Sequence, residues 1–250
     1  MISFNAGLFY CLVASIISST LAALPSYIKV CKRTDPNIND CIVNSIEHLR
    51  TKLREGIPEL DVPAVEPLIL DQIRLLRGPV GARLDVNISG LQVYGPSTFR
   101  ISDFHADVEN VIFKFKVAFN KLQFRGKYSI DTRLLLLRLK GDGPISGNFS
   151  KYESDVVLRA KKVFRNDNVY INFDKMEFDI KIGKSYIHLG NLFNGNPVLS
   201  ATSNELINSN SAIFLDELRP AMETSLANLF TDVANKITRS FTYDELFPKE

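Results

Sequence analysis

Tryptophan is absent from this chain, and cysteine, histidine and methionine occur only three times each. Three scattered histidines, His48, His105 and His188, offer little material for a metal centre or a histidine-based catalytic pair. No Gly-x-Ser-x-Gly elbow, P-loop or His-Glu-x-x-His occurs. The nearest glycine-rich piece, Gly141-x-Gly143-x-x-x-Gly147, misses the dinucleotide spacing by one and reads as a turn between strands. Asp131, Asp142 and Glu153 are carboxylates available for acid–base work, but nothing pairs them, and exposure to solvent is the ordinary state of such residues. These absences weaken an enzyme reading without excluding it, because triads are recognised by geometry rather than order. No cofactor is implied. Net charge is only +2 with the signs interspersed, so no basic stripe marks a nucleic-acid partner. No Gly/Ser-rich or Pro-rich linker, low-complexity block or fixed-length repeat divides the chain.

Long hydrophobic runs are also missing, with one exception. Leu8 to Leu21 is apolar or small and carries no charge, and Thr20-Leu21-Ala22-Ala23 follows the pattern of a cleavage site. The segment 1–23 reads as a secretory signal peptide. It is short for a bilayer span of about 20 residues, and no second run follows, so stable membrane insertion is not expected. Residues 24–250 are then expected to form one secreted, extracellular domain. Cys11 leaves with the signal. Cys31 and Cys41, with nine residues between them, suit a disulfide in an oxidising compartment. Closing so short a loop stabilises by about 2–3 kcal/mol in the chain-entropy model. A zinc site is the alternative, but two cysteines without a nearby histidine are too few ligands. Asn87-Ile88-Ser89 and Asn148-Phe149-Ser150 are glycosylation sequons and predict exposed positions.

What is present is periodicity. Ile42, Ile46, Leu49 and Leu53 share one face of a helix over 41–54, capped by Asn39 or Asp40 and stopped by Gly56 and Pro58. From Asp71 to Leu192 the period falls to two. Phe113, Phe115, Val117 and Phe119 alternate with Lys114, Lys116 and Asn120, Asn120-Lys121 makes a turn, and Leu122 and Phe124 lie on the returning strand. Gly78-Pro79 and Gly141 to Pro144 are read as further turns. Short connections imply antiparallel meanders. Near the C-terminus Ile213, Phe214, Leu218, Met222, Leu226, Leu229, Phe230, Val233 and Ile237 form a helical stripe. A helix over 209–241, capped by Ser209 or Ser211, would be roughly 50 Å long. Pro220 kinks it or divides it in two. The predicted fold class is α+β, with a strongly curved antiparallel sheet wrapped around the long C-terminal helix. Whether sheet and helix meet in an ordinary core or leave a cavity is not decided by composition, which favours the core.

Several short motifs bear on that choice. They are Cys31 with Asp35-Pro36 and Asp40-Cys41, Gly56-Ile57-Pro58, and Pro67-Leu68 with Ile73 downstream. Leu192-Phe193-Asn194-Gly195-Asn196, Ile213-Phe214-x-x-Glu217-Leu218-x-Pro220 and Tyr243-Asp244-Glu245-Leu246-Phe247-Pro248 follow in order. Together they resemble the takeout/juvenile-hormone-binding-protein family of insects over essentially the whole mature chain. The resemblance implies an α/β-wrap of the tubular lipid-binding type, a hydrophobic tunnel and carriage of a terpenoid or fatty compound. The paired N-terminal cysteines match the family's disulfide. The second disulfide of true hormone-binding members has no counterpart, which favours the takeout-like branch.

The expectation is a monomeric carrier that binds a small hydrophobic ligand in an elongated tunnel without chemical change; any receptor is unknown. No ligand motif transfers residue by residue, so the candidate lining rests on alternation: Phe113, Phe115, Phe119, Leu122, Phe124, Leu135, Leu137 and Phe178 from the sheet, with Phe214, Leu218, Met222 and Leu229 from the helix. Tyr128 or Ser225 would orient a polar end. Two other readings compete. A membrane-lipid transfer or receptor-interacting module would use a basic rim of Lys151, Arg159, Lys161, Lys162 and Arg165, although lysines commonly blunt strand edges. A secreted hydrolase would use His105 or His188.

Overall fold

The computed structural model describes residues 24–77, 84–134 and 137–250. Two helices come first, α1 (Ile38–His48) and α2 (Arg50–Glu55). Seven antiparallel strands follow: β1 (Leu68–Arg77), β2 (Leu84–Tyr94), β3 (Arg100–Asp107), β4 (Ile112–Leu134), β5 (Leu137–Arg165), β6 (Asn168–Phe173) and β7 (Glu177–Leu189). Helices α3 (Pro197–Ser209), α4 (Ser211–Arg239) and the single turn α5 (Tyr243–Leu246) close the chain. The strand order is β1-β2-β4-β5-β6, with β3 on β4 and β7 on β5. The apolar face of this curled sheet packs on α4 through Phe214, Leu215, Leu218 and Ala221.

The 23 residues of β4 and 29 of β5 are far longer than ordinary strands. Their pairing is continuous from Ile112↔Arg159 to Leu134↔Leu137, yet each exchanges its other neighbour partway along. In that direction β4 leaves β3 for β2, and β5 leaves β6 for β7. The expected turn at Asn120-Lys121 is not there. Phe119↔Tyr152 and Leu122↔Phe149 both face inward, with two residues rather than one between them on each strand. This crease, with Lys151 at φ 54°, switches the inward set from odd to even positions on β4. Register shifts at Ser102/His105 in β3 and Ser89/Gln92 in β2 bend the flanking strands. A parity switch beside a polar dipeptide reads as a turn in sequence; here the twist of the long β4–β5 pair absorbs it.

Gly141 to Pro144 is likewise not a turn but lies inside β5. A Cβ on Gly143 would come within 2.5 Å of the Gly190 carbonyl, so glycine there lets the segment after β7 cross the strand. The turn expected at Gly78-Pro79 lies outside the described residues.

The helical expectations shift at their ends. α1 begins at Ile38, breaks from α2 at Leu49, and has no side-chain cap. Asn39 instead accepts a hydrogen bond from the Ala106 N–H at 2.9 Å, which ties α1 to β3. The C-terminal helix is preceded by α3, which the sequence reading did not separate. Asn196 caps α3, accepting from Leu199 N–H, with Pro197 in the first turn. Neither Ser209 nor Ser211 caps α4, which starts after Asn210. Pro220 sits within α4 without ending it, and 29 residues give a rod about 43 Å long.

An edge strand leaves a row of unpaired N–H and C=O groups. On β7 and β6 the helices supply the partners. Asn208 accepts from Ile187 N–H and donates back to its carbonyl, both at 2.8 Å. Asn204 does the same at Leu189, and Asn235 at Phe173. Glu223 accepts from Ile180 N–H and Thr231 from Met176 N–H. Side chains spaced along α3 and α4 thus replace a missing strand.

Candidate functional site

Between the concave sheet and α4 lies a cavity of about 360 Å³. Four turns of α4 provide one wall, because Leu218, Met222, Leu226 and Phe230 recur every fourth residue. β1 and β2 give Leu70, Ile73, Ile88 and Leu91, and β4 gives Phe115, Val117, Phe119, Leu122 and Phe124. β5 and β7 give Ile145, Phe149, Val156 and Phe178. Ile46 of α1 and Leu53 of α2 lie over the β3 end, near Phe99 and Ile101. Arg50 fixes these helices there: it donates to the Ser97 and Phe99 carbonyls at 2.6 and 2.8 Å and stands over the Phe99 ring.

Among the described residues no lining side chain carries a charge, and the one with a polar side-chain atom is Tyr152. Tyr152 is 6% exposed, and its ring meets Phe119 edge-on at 5.4 Å. Burial, with the nearby Glu223 carboxylate adding to it, pushes its hydroxyl pKa well above the ordinary tyrosine value. The group is therefore a neutral donor at any physiological pH. The expected polar residues are elsewhere. Tyr128 donates to the Gly190 carbonyl at 2.7 Å, and burial pushes its pKa up to about 12. Neither Tyr128 nor Ser225 lines the cavity.

Of the candidate lining residues, Phe115, Phe119, Leu122, Phe124, Phe178, Phe214, Leu218 and Met222 surround the cavity. Phe113 does not. It shares the inward face of β4, but Phe173 and Phe247 cover it at 6.4 and 6.1 Å between ring centroids, in a packed cluster with Tyr243. Leu229 packs against the core one helical step away from the lining position Phe230. Leu135 lies outside the described residues, and so does the side chain of Leu137. Sequence reasoning missed the β1–β2 wall, Phe149, Tyr152 and the α1–α2 contribution. The bulge at Gly90 shifts the β2 alternation between Ile88 and Leu91, which hid that wall.

The other candidate groups point away from the cavity. His48, His105 and His188 are exposed, as are Asp131, Asp142 and Glu153. Among the described residues no group of three or more His, Cys, Asp or Glu is placed to hold a metal ion. The basic residues do not form one rim. Arg159 pairs with Glu177, Lys161 with Asp174 at 3.3 Å and Lys162 with Glu109 at 3.5 Å; Arg165 stands over Tyr170, and Lys151 is exposed at the crease.

Cys31 and Cys41 form a disulfide. It anchors a loop that holds the C-terminal tail: Arg33 N–H donates to Pro248 O at 2.9 Å, Arg33 Nε to Phe247 O at 2.8 Å, and the Arg33 guanidinium pairs with Asp244. The tail in turn covers Phe113 and closes that end of the sheet.

The comparisons with known proteins agree with this geometry. Residues 8–248 match the family described as Haemolymph juvenile hormone binding protein. The circadian clock-controlled protein daywake of Drosophila melanogaster is 24% identical over 90% of this chain and 89% of its own. A Schistocerca gregaria protein named as a candidate beta-carotene-binding protein is 22% identical over 86% of each chain. The crystal structure of Epiphyas postvittana Takeout 1 has the same fold, with a TM-score of 0.72 at 19% identity over 84% of this chain and 95% of that one. With the family match running from residue 8 to residue 248, almost the whole length of the chain, this protein belongs to the haemolymph juvenile hormone binding protein family.

Proposed function

We propose that this protein is a secreted monomeric carrier that encloses one small, uncharged hydrophobic molecule and releases it unchanged. The observation that carries the reading is the cavity itself, about 360 Å³, whose wall among the described residues is apolar apart from the Tyr152 hydroxyl. Burying a chain of ~15 carbons at about 0.8 kcal/mol each gives a gross gain of ~12 kcal/mol. Association and ordering costs bring the expected affinity to the micromolar–nanomolar range. The driving force has no direction, so shape and charge must discriminate between ligands. An ionised carboxylate would enter without a counter-cation, at a cost of several kcal/mol. Esters, alcohols, ketones and hydrocarbons of terpenoid or fatty type fit better than free acids. Beta-carotene, in the name of the locust relative, belongs to this uncharged class.

Native mass spectrometry of protein purified from its own source, followed by organic extraction, tests the reading. One bound neutral lipid per chain is expected. A chain that arrives empty and fails to bind a fluorescent terpenoid probe overturns it. Titration with a long-chain acid and its methyl ester separates charge from length: the ester binds at every pH, and the acid gains affinity as pH falls and its carboxylate protonates. Two controls address the rivals. Liposome co-sedimentation at low salt should leave the protein in the supernatant, and a labelled ester should survive incubation with it.

A further inference from the structure

Both Asn-x-Ser sequons lie within strands, and in both the middle residue faces the cavity: Ile88 and Phe149 line it. Side chains alternate across a strand, so Asn87 and Asn148 stand on the convex, solvent side. Their surroundings differ. Asn87 Oδ1 accepts a hydrogen bond from Gln72 Nε2 at 2.9 Å. Asn148 makes no side-chain hydrogen bond among the described residues, which leaves its amide nitrogen open. Its register partner on β7 is Tyr186. Directly opposed side chains of an antiparallel pair have Cβ atoms about 4.5–5.5 Å apart. Tyr186 is 53% exposed, although Phe149 beside Asn148 and Ile187 beside Tyr186 both turn inward. A broad aromatic face therefore stands uncovered next to a free carboxamide, with the Ser150 hydroxyl of the sequon two residues on.

We propose that Asn148 carries an N-linked glycan whose first sugar rests on the ring of Tyr186. In the transfer, the Asn148 amide nitrogen bonds to C1 of the first N-acetylglucosamine of a lipid-linked oligosaccharide diphosphate. The C1–oxygen bond to the diphosphate breaks, the lipid diphosphate leaves, and the amide gives up one proton. A sugar presents C–H groups on one face and hydroxyls on its rim, so stacking covers the apolar ring and keeps the polar groups in water. The glycan lies outside the wall formed by Phe149 and does not enter the cavity. The inference rests on the export reading, because the sugar donor belongs to the secretory membrane.

The test is expression of the full-length chain in a human cell line, with intact mass measured before and after peptide-N-glycosidase F. The medium should contain protein bearing a glycan mass that Asn148→Gln removes and Asn87→Gln retains at Asn148. Ser150→Ala, which keeps Asn148, should remove it too. A secreted chain with no sugar at Asn148 overturns this inference alone. A chain left unglycosylated in the cytosol overturns export together with it. Enzymatic removal of the glycan should lower the thermal midpoint of the parent by about 2–4 °C, and that of Tyr186→Ala by nothing measurable. An equal drop in both overturns the stacking on Tyr186.

Discussion

Two phenylalanines on one face of one strand, Phe113 and Phe115, differ in what surrounds them. Phe113 is packed under Phe247 and Phe173, and Phe115 faces the cavity. Truncating Phe113 to alanine should cost about 3–5 kcal/mol of stability in denaturant unfolding and leave ligand affinity unchanged. Val93 of β2 also lines the cavity, and filling the space by Val93→Phe should do the opposite, with probe binding at least tenfold weaker and a nearly unchanged unfolding midpoint, because the side chain enters the cavity rather than packed core. Tyr152→Phe should weaken a ligand that presents a hydrogen-bond acceptor about tenfold and leave a pure hydrocarbon alone. Burial raises the hydroxyl pKa of Tyr128 and Tyr152 in the folded state, so their contribution to stability is complete below the unfolded value near 10 and is lost as pH rises toward the folded values. The thermal midpoint should therefore fall between pH 10 and 12, and the double Phe variant should flatten that fall. Alternation alone placed both phenylalanines on the right face. It had no means of telling a covered inward position from an open one, because the cover comes from the other end of the chain.

At the scale of elements, the helices α3 and α4 act as a substitute strand. Asn204 and Asn208 each offer a donor and an acceptor to one edge residue of β7. Asn208→Leu keeps the branched shape and leaves Ile187 N–H and C=O without their Asn208 partners, at a cost of about 1–3 kcal/mol. Hydrogen exchange should show the amides of Ile187 and Leu189 losing protection before those of β4. Sequence periodicity located α4 well, since its stripe is long, but not this seam, since asparagines in a helix read as ordinary exposed residues. The crease at Asn120-Lys121 is the counterpart in the sheet. The change of parity was legible; that it bends one strand rather than joining two depends on β5 creasing opposite, at Ser150-Lys151.

At the scale of the whole molecule, the two ends of the chain lock one another. The loop after Cys31 holds Phe247 and Pro248 through Arg33, and the tail seals Phe113. The Cys31→Ser/Cys41→Ser pair should lower stability by about 2–3 kcal/mol and make the bonds after Arg239 more sensitive to protease. The sequence by itself determined the class of fold, because helical and strand periods are local and the apolar faces they create must be buried together. It also determined the chemistry of the interior, since Phe, Leu, Ile and Val are what those faces carry. Only the tertiary structure decided that sheet and helix leave a gap beside their contacts, which inward residues face it, and that, among the described residues, Tyr152 alone brings a polar group to it. Those outcomes depend on strand curvature, set by creases shared between partners, and on covering segments remote in sequence, so no local pattern contains them.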